Sequence, residues 1–377
     1  MNSTQSSSTT PYASCECVLD GIKIIDLSSG VAGQFAARVL GEYGADVVLL
    51  EPPGGCALRR PQAIEDRYLF WHLNTGKKSI TIDLDSEQGR QTLEILIQSC
   101  DMVIGDSTHD LQVMCQKNPR LIACRIRDFS PQGPYANWVG NEMIHQALSG
   151  LMYATGRADG KPLYGFGHRA YYSAGAIAVS SILGALIMRD GNSKGQYLEV
   201  SVHETAVSMS QNPVTQFAYN ATWMARGPYP GPFDIFQCAD GWVSMYCRGD
   251  RWSALCKGLG APQVAEHPQL SSIDNLVKNW SLAYQLLQPI VKILTVEQFL
   301  AIIEAARGLA SRVNTMKDVL NCNHLARRNY WHTLPDGDTS KPVLGPLFRF
   351  SKTPRVLLQG APDLKPVSMS IKESHDN

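Results

Sequence analysis

The sequence predicts an α/β fold with a doubly wound layer of strands and helices, and three observations predict it. A strand, helix, strand alternation lies near the start of the chain, and a loop, helix, strand unit lies at its middle. The length of 377 residues exceeds the ~250 that one core usually serves, so a second domain is expected.

Taken in order, Met1 to Ser14 is rich in Ser and Thr and lacks the apolar centre of a secretory leader. No Lys or Arg precedes Lys23, which also argues against a transit peptide, and residues 1–17 are expected to be a disordered tail. Ile22 to Asp26 reads as a buried strand. It runs into the Ser28-Ser29-Gly30-Val31-Ala32-Gly33 turn, a helix over Phe35 to Tyr43 and a second strand over Asp46 to Leu50. A turn of this kind can take a phosphate on backbone N–H groups, yet G-V-A-G lacks the spacing of a dinucleotide fingerprint. Leu121 to Ile126 reads as a further strand.

The central unit spans Gly160 to Glu204. Gly165 and Gly167 predict a sharp turn before a helix that begins near Arg169. Tyr171, Ala174, Ile177, Ala178, Ser181, Ile182, Ala185 and Leu186 recur at helical steps, and Gly and Ala fill the remaining face, which suits close packing. Arg189 to Asn192 are expected to end the helix, and Gln196 to Val202 alternates as a half-buried strand does. Arg226 to Pro232 is a Pro- and Gly-rich boundary. Beyond it, strands at Phe233 to Gln237 and Trp242 to Cys247, then helices at Asp250 to Gly258 and Val296 to Ala306, predict a smaller α+β domain.

Composition narrows the function. With 34 basic and 34 acidic residues, nothing favours nucleic acid. No uninterrupted apolar run approaches the ~20 residues of a bilayer span, so a cytoplasmic protein without membrane partners is expected. Ten cysteines without a C-x-x-C pair fit neither a zinc site nor a disulfide framework and read as reduced thiols.

Several motifs, in order, resemble the family III CoA-transferases, the group that includes formyl-CoA and carnitine CoA-transferases and the α-methylacyl-CoA racemases. They are DGIKIIDLSSGVAGQFAARVLGEYGADVVLLEPPGG (20–55), NTGKKSITIDL (74–84), QALSGLMYATG (146–156), SKGQYLEVSVHE (193–204) and GPFDIFQCADGWVSM (231–245). The resemblance implies a large CoA-binding α/β domain formed by both chain ends, residues 18–225 and 312–377, with the small domain inserted at 226–311. Ser311 to Thr315 and Gly345 to Ser351 match the return segments, and two chains are expected to interlock as a dimer.

The resemblance also implies a site. Val31, Ala32 and Gly33 fall at the pocket, and Arg59, Arg60, Lys77 and Lys78 fall where counter-charges for the CoA phosphates are expected. An arginine contact of the family is replaced at Thr108, and neighbouring His109 reads as a surface histidine. The family's nucleophilic aspartate stands in a pattern like G-x-x-x-A-D-Y-x-A-G, and here that position holds Tyr171. The racemase histidine position holds Asn141. A carboxylate can attack a thioester to give a mixed anhydride, whereas a phenol with an ordinary pKa near ~10 forms no comparably activated intermediate. Glu142 is the candidate replacement carboxylate, although pairing or capping is its expected role; Asp128, Asp159, Glu199 and Glu204 rank behind it. The turn from Phe129 to Tyr135 is expected to face the pocket.

Two functions follow from the resemblance. One is an enzyme moving CoA between an acyl-CoA and a carboxylic acid, or isomerising an acyl-CoA with a different residue set, with the thioester as substrate and no permanently bound cofactor. The other is a non-catalytic CoA-binding subunit beside an aspartate-bearing paralogue. Trp223, Met224, Tyr229 and Phe233 are expected either to line an acyl channel or to fill the core.

Overall fold

The computed structural model describes residues 17–60, 67–106, 110–156, 160–222, 232–336, 339–356 and 359–364. The tail expected at residues 1–17 lies outside them except for its last residue, as do Thr108, His109, Asp159, Trp223, Met224 and Tyr229. The chain divides into two compact units, one of Met1–Met152, Tyr164–Thr215 and Arg328–Asn377, the other of Tyr153–Leu163 and Gln216–Arg327.

The first unit is built on a six-stranded parallel sheet of β1 (Lys23–Asp26), β2 (Asp46–Glu51), β3 (Lys78–Thr81), β4 (Met102–Gly105), β5 (Ile122–Arg127) and β6 (Tyr197–Ser201), in the order β3-β2-β1-β4-β5-β6. Its helices are α1 (Val31–Glu42), α2 (Arg67–Asn74), α3 (Glu87–Ser99), α4 (Leu111–Lys117), α5 (Glu142–Leu148), α6 (Leu151–Ala154, at the junction of the units), α7 (Arg169–Asn192) and α8 (Val202–Met209). A hairpin of β10 (His332–Asp336) and β11 (Thr339–Val343) belongs to the same unit.

Strand periodicity sorts the core. Ile24, Met102, Ile104, Ile122 and Cys124 point to the face covered by α1 and α7, while Ile25, Val103 and Ala123 point to the face that holds Leu93 of α3 and Leu111 of α4. Both faces are buried, which is why these strands read as apolar runs rather than as alternating ones. The strand order reverses between β1 and β4, and in open parallel sheets the crevice beyond the strand ends at such a point is where ligands bind.

Helix α7 is the unit's long element. It packs on α1 at Gly175, where an added Cβ would stand 2.7 Å from the Ala32 carbonyl oxygen. By length and composition α7 would also suit a membrane span; 33% of that apolar window is buried, where the helix packs on α1, α8 and the sheet. The stop expected at Arg189 to Asn192 is corrected: these residues are helical, and Ser193, at φ 58°, ends the helix. The reason is that Arg189 is buried and bound to Asp101 at 3.0 Å, which holds the helix through this position while Asp190 to Asn192 stay exposed. Helix α1 likewise starts at Val31, before the expected Phe35. Val202 leaves the strand, because Ser201 caps α8 by accepting from the Glu204 N–H.

The second unit carries an antiparallel sheet of β7 (Phe233–Cys238), β8 (Gly241–Tyr246) and β9 (Leu309–Arg312), with β8 central. Its helices are α9 (Gln211–Asn220, begun in the first unit), α10 (Trp252–Gly258), α11 (Pro262–Ala265), α12 (Ile273–Lys278), α13 (Trp280–Val291), α14 (Val296–Ala305), α15 (Met316–Leu320) and α16 (Asn323–Arg327). Phe236, Trp252, Trp280 and Phe299 form its aromatic centre. The boundary expected at residue 312 falls inside β9, which pairs with β8. Gly345 to Ser351 runs back along the first unit, where Phe348 stacks on Tyr43 with ring centres 4.2 Å apart.

Candidate active site

A cavity of about 390 Å³ opens at the sheet's switch point, lined by Ser28 to Gly33 after β1, Gly105 and Asp106 at the end of β4, Ile126 to Asp128 at the end of β5, and Leu58, His168, Tyr171 and Val202. Val31, Ala32 and Gly33 are among its lining residues. The turn is held from behind. Lys77 Nζ donates to Asp26 Oδ2, the Gln34 carbonyl and Asn74 Oδ1, each at 2.8 Å, in a fully buried network. A buried ammonium is tolerated only when its donors are satisfied, and here all three are.

That network revises one expectation, since Lys77 is committed to the core rather than offered to a phosphate. Arg59 is also engaged: Nε and Nη2 reach the two Glu51 carboxylate oxygens at 2.7 and 2.6 Å, and Nη2 reaches the Pro362 carbonyl at 2.9 Å. Arg60 is exposed and donates to the Gly55 carbonyl at 3.1 Å, and exposed Lys78 pairs with Asp46 at 2.7 Å. None of these four residues lines the cavity.

Glu142 does what its position in α5 allows. Its buried carboxylate accepts the Ala170 N–H at 2.9 and 3.1 Å, one distance to each oxygen, and Gln146 Nε2 at 2.8 Å. It supplies the cap that His168 does not provide for α7, favourable for a negative group at a helix start. Asn141 caps α5 in turn, accepting the Ile144 N–H at 3.0 Å. Neither lines the cavity. Glu199, on β6, accepts from Tyr197 Oη at 3.3 Å, and the Glu204 side chain is exposed on α8.

The carboxylate that does line the cavity is Asp128, which the sequence ranks low because nothing local marks it. Its Oδ1 accepts from the Tyr171 hydroxyl at 3.0 Å and from His145 Nε2 at 3.1 Å, and its Oδ2 accepts the Gly140 N–H at 2.8 Å. A carboxylate only accepts, so Nε2 carries the imidazole proton; His145 Nδ1 is buried without a hydrogen-bond partner. Gly140 must lack a side chain, because a Cβ there would meet the His145 ring at 2.4 Å. Phe129 braces the group, with its ring 5.2 Å from His145 and 5.4 Å from His203.

The electrostatics follow. Burial works against the Asp128 charge, but the bonds from His145, Gly140 and Tyr171 outweigh it and hold its pKa below the ordinary value. For Tyr171, burial first and then the Asp128 charge push the phenol well above its usual range, so it is a fixed donor. Burial also lowers His203. No group of three or more His, Cys, Asp or Glu with metal-ligand geometry occurs among the described residues, and each of their cysteines is free.

Fold and cavity define a doubly wound α/β protein with an acidic, hydrogen-bonded ligand crevice. The chain belongs to CoA-transferase family III, whose sequence model matches residues 19–365. It is 26% identical over 389 residues to an acyl-CoA transferase of Fusarium pseudograminearum, covering 96% of this chain and 85% of that one. It is 30% identical over 280 residues to the succinyl-CoA:mesaconate CoA-transferase of Haloarcula marismortui, covering 67% of this chain and 70% of the relative. Among solved structures, a CaiB/BaiF family protein from Brucella suis superposes with a TM-score of 0.86 at 26% identity, over 92% of this chain and 96% of that one.

Proposed function

We propose that the chain moves CoA between an acyl-CoA thioester and a carboxylic acid, with the thioester as substrate and no permanently bound cofactor. The observation that carries this is a family match over residues 19–365 together with a cavity at the switch point of the sheet. Relatives named for the acids oxalate, D-citramalate, mesaconate and glutarate support a carboxylate acceptor. In this reading the N-terminal turn of α1 at Val31 to Gly33 and the cations Arg59 and Arg60 face the CoA, Lys77 braces the turn from inside, and Lys78, paired with Asp46 at the first residues of β3 and β2, takes no part. Tyr171 stands at the position of the family's nucleophilic aspartate and serves as a donor.

The same reading takes the protein as a cytoplasmic dimer, supported by Ile177, Ile187 and Met188, which α7 leaves 50%, 73% and 59% exposed. A second reading, a non-catalytic subunit beside an aspartate-bearing paralogue, has one observation in its favour. A relative 28% identical is named as the beta subunit of a succinyl-CoA–L-malate CoA-transferase.

The test is to incubate the purified chain with acetyl-CoA plus oxalate, and with succinyl-CoA plus mesaconate, citramalate or glutarate, and to separate the CoA esters by chromatography. A new acceptor thioester supports transfer. Exchange only after an aspartate-bearing sister chain is added supports the subunit reading, and no binding of either thioester by calorimetry overturns both.

A further inference from the structure

We infer that Asp128, at the end of β5, is the nucleophilic carboxylate of this chain, and that Tyr171 and His145 are the donors that serve it. The inference rests on the transferase reading above and adds the residue through which transfer runs. Three observations converge on it. Asp128 lines the cavity, and its side chain is 26% exposed while the His145 beside it is fully buried, so the carboxylate stands where the packed layer meets the open space. Tyr171, itself unable to form an activated acyl intermediate, turns its hydroxyl onto this carboxylate. The donors are also distributed unevenly: Oδ1 takes both side-chain bonds, and Oδ2 takes only the Gly140 N–H.

That asymmetry fits the chemistry of a carboxylate that is attacked as well as attacking. Oδ2, with a lone pair unused, attacks the thioester carbonyl carbon; the C–S bond breaks, and CoA leaves as thiolate with the electron pair, giving a mixed anhydride. The thiolate then attacks Cγ of Asp128. The carbonyl electrons move onto Oδ1, where the Tyr171 O–H and His145 Nε2–H receive the negative charge as an oxyanion hole would. Collapse expels the donor carboxylate and leaves an aspartyl thioester. The acceptor carboxylate attacks the same Cγ, thiolate leaves, and its attack on the acceptor carbonyl of the new anhydride restores Asp128 and releases acceptor CoA ester. Protons and electrons balance without a further reagent.

Two other carboxylates compete and are less well placed. Glu142 is spent on the Ala170 N–H of α7 and does not line the cavity. Asp106 lines it, but Oδ2 is drawn to the backbone N–H and hydroxyl of Ser29, both in the loop after β1, and neither Tyr171 nor His145 reaches it in the bonds described.

The experiment is trapping on the full chain. Wild type is incubated with succinyl-CoA or acetyl-CoA, quenched with hydroxylamine, digested, and the hydroxamate located by peptide mass. A hydroxamate at Asp128 is expected, absent in Asp128→Asn, with transfer in that variant lowered at least about a thousandfold. A hydroxamate at Asp106, Glu142 or elsewhere overturns the inference and leaves the transferase reading standing. So does Asp128→Asn that still transfers within about tenfold of wild type. Wild type that binds either thioester by calorimetry yet forms neither adduct nor product overturns the inference in favour of the subunit reading, and absence of binding overturns the transferase reading itself. Because the trapped site is read in wild type, the outcome does not depend on the variant folding.

Discussion

Tyr171 donates its hydroxyl to Asp128 Oδ1 across a 3.0 Å hydrogen bond. A buried phenol held above its ordinary pKa by burial and by the Asp128 charge donates at every accessible pH. Removing it by Tyr171→Phe leaves Oδ1 with His145 alone, and kcat should fall about a hundredfold while KM changes little, the signature of a donor used in the transition state. Steady-state transfer assays check this. Asp128 must be ionised to attack, and its pKa is depressed, so the acid limb of the rate should lie below the ~3.9 of an ordinary aspartate. Between about pH 5 and 9 the Asp128 and Tyr171 pair then contributes no change in rate, which a pH profile of kcat/KM measures.

At the scale of elements, the site depends on how closely α7 lies against α1. Gly175 lets the Ala32 backbone approach, and a Cβ would meet its carbonyl oxygen at 2.7 Å and the Phe35 ring at 2.8 Å. Alanine favours helix over glycine by about 1 kcal/mol, yet the obstacle is backbone and cannot rotate away. Gly175→Ala is therefore expected to cost about 1–3 kcal/mol of stability, measured by urea unfolding, and to disturb the turn at Val31 to Gly33 with it. The glycine and its neighbours were legible in the sequence as a close-packing helix, because small residues at helical spacing have few other uses. Its end was not. Arg189 to Asn192 carry polar character that reads as a stop, and only the Asp101 carboxylate, far away in sequence, makes Arg189 a buried helical residue.

Across the whole molecule, buried ionisable groups set the response to pH. His72 is packed beside Arg38, with Nη1 2.7 Å from Nε2, and burial first and the Arg38 charge second lower its pKa to about 3. Its folded pKa lies below the ~6.5 of an unfolded histidine, so between these values the unfolded chain binds the extra proton. Stability from this group is complete above about pH 6.5 and is lost as pH falls, at up to ~1.4 kcal/mol per pH unit. His72→Gln keeps an acceptor for Arg38 and should flatten that slope between about pH 4 and 6, read from denaturation midpoints.

The sequence by itself determined the α/β class, the strands β1, β2 and β5 and the helix at the centre of the chain. Each rests on residues a few positions apart, whose periodicity and turn chemistry act locally. Glu142 reads in the sequence only as a carboxylate expected to pair or cap, and its capping of α7 through the Ala170 N–H is made by folding. Tertiary structure alone decided the fates of Lys77 and Asp128. Lys77 looks like half of a surface pair until Asp26, Gln34 and Asn74, drawn from separate elements, close around it. Asp128, just past the end of β5, looks unremarkable in the sequence, and becomes the proposed nucleophile only when Gly140, His145 and Tyr171 are brought to its two oxygens. A carboxylate's reactivity is set by the donors and solvent around it, and those come from parts of the chain that only folding brings together.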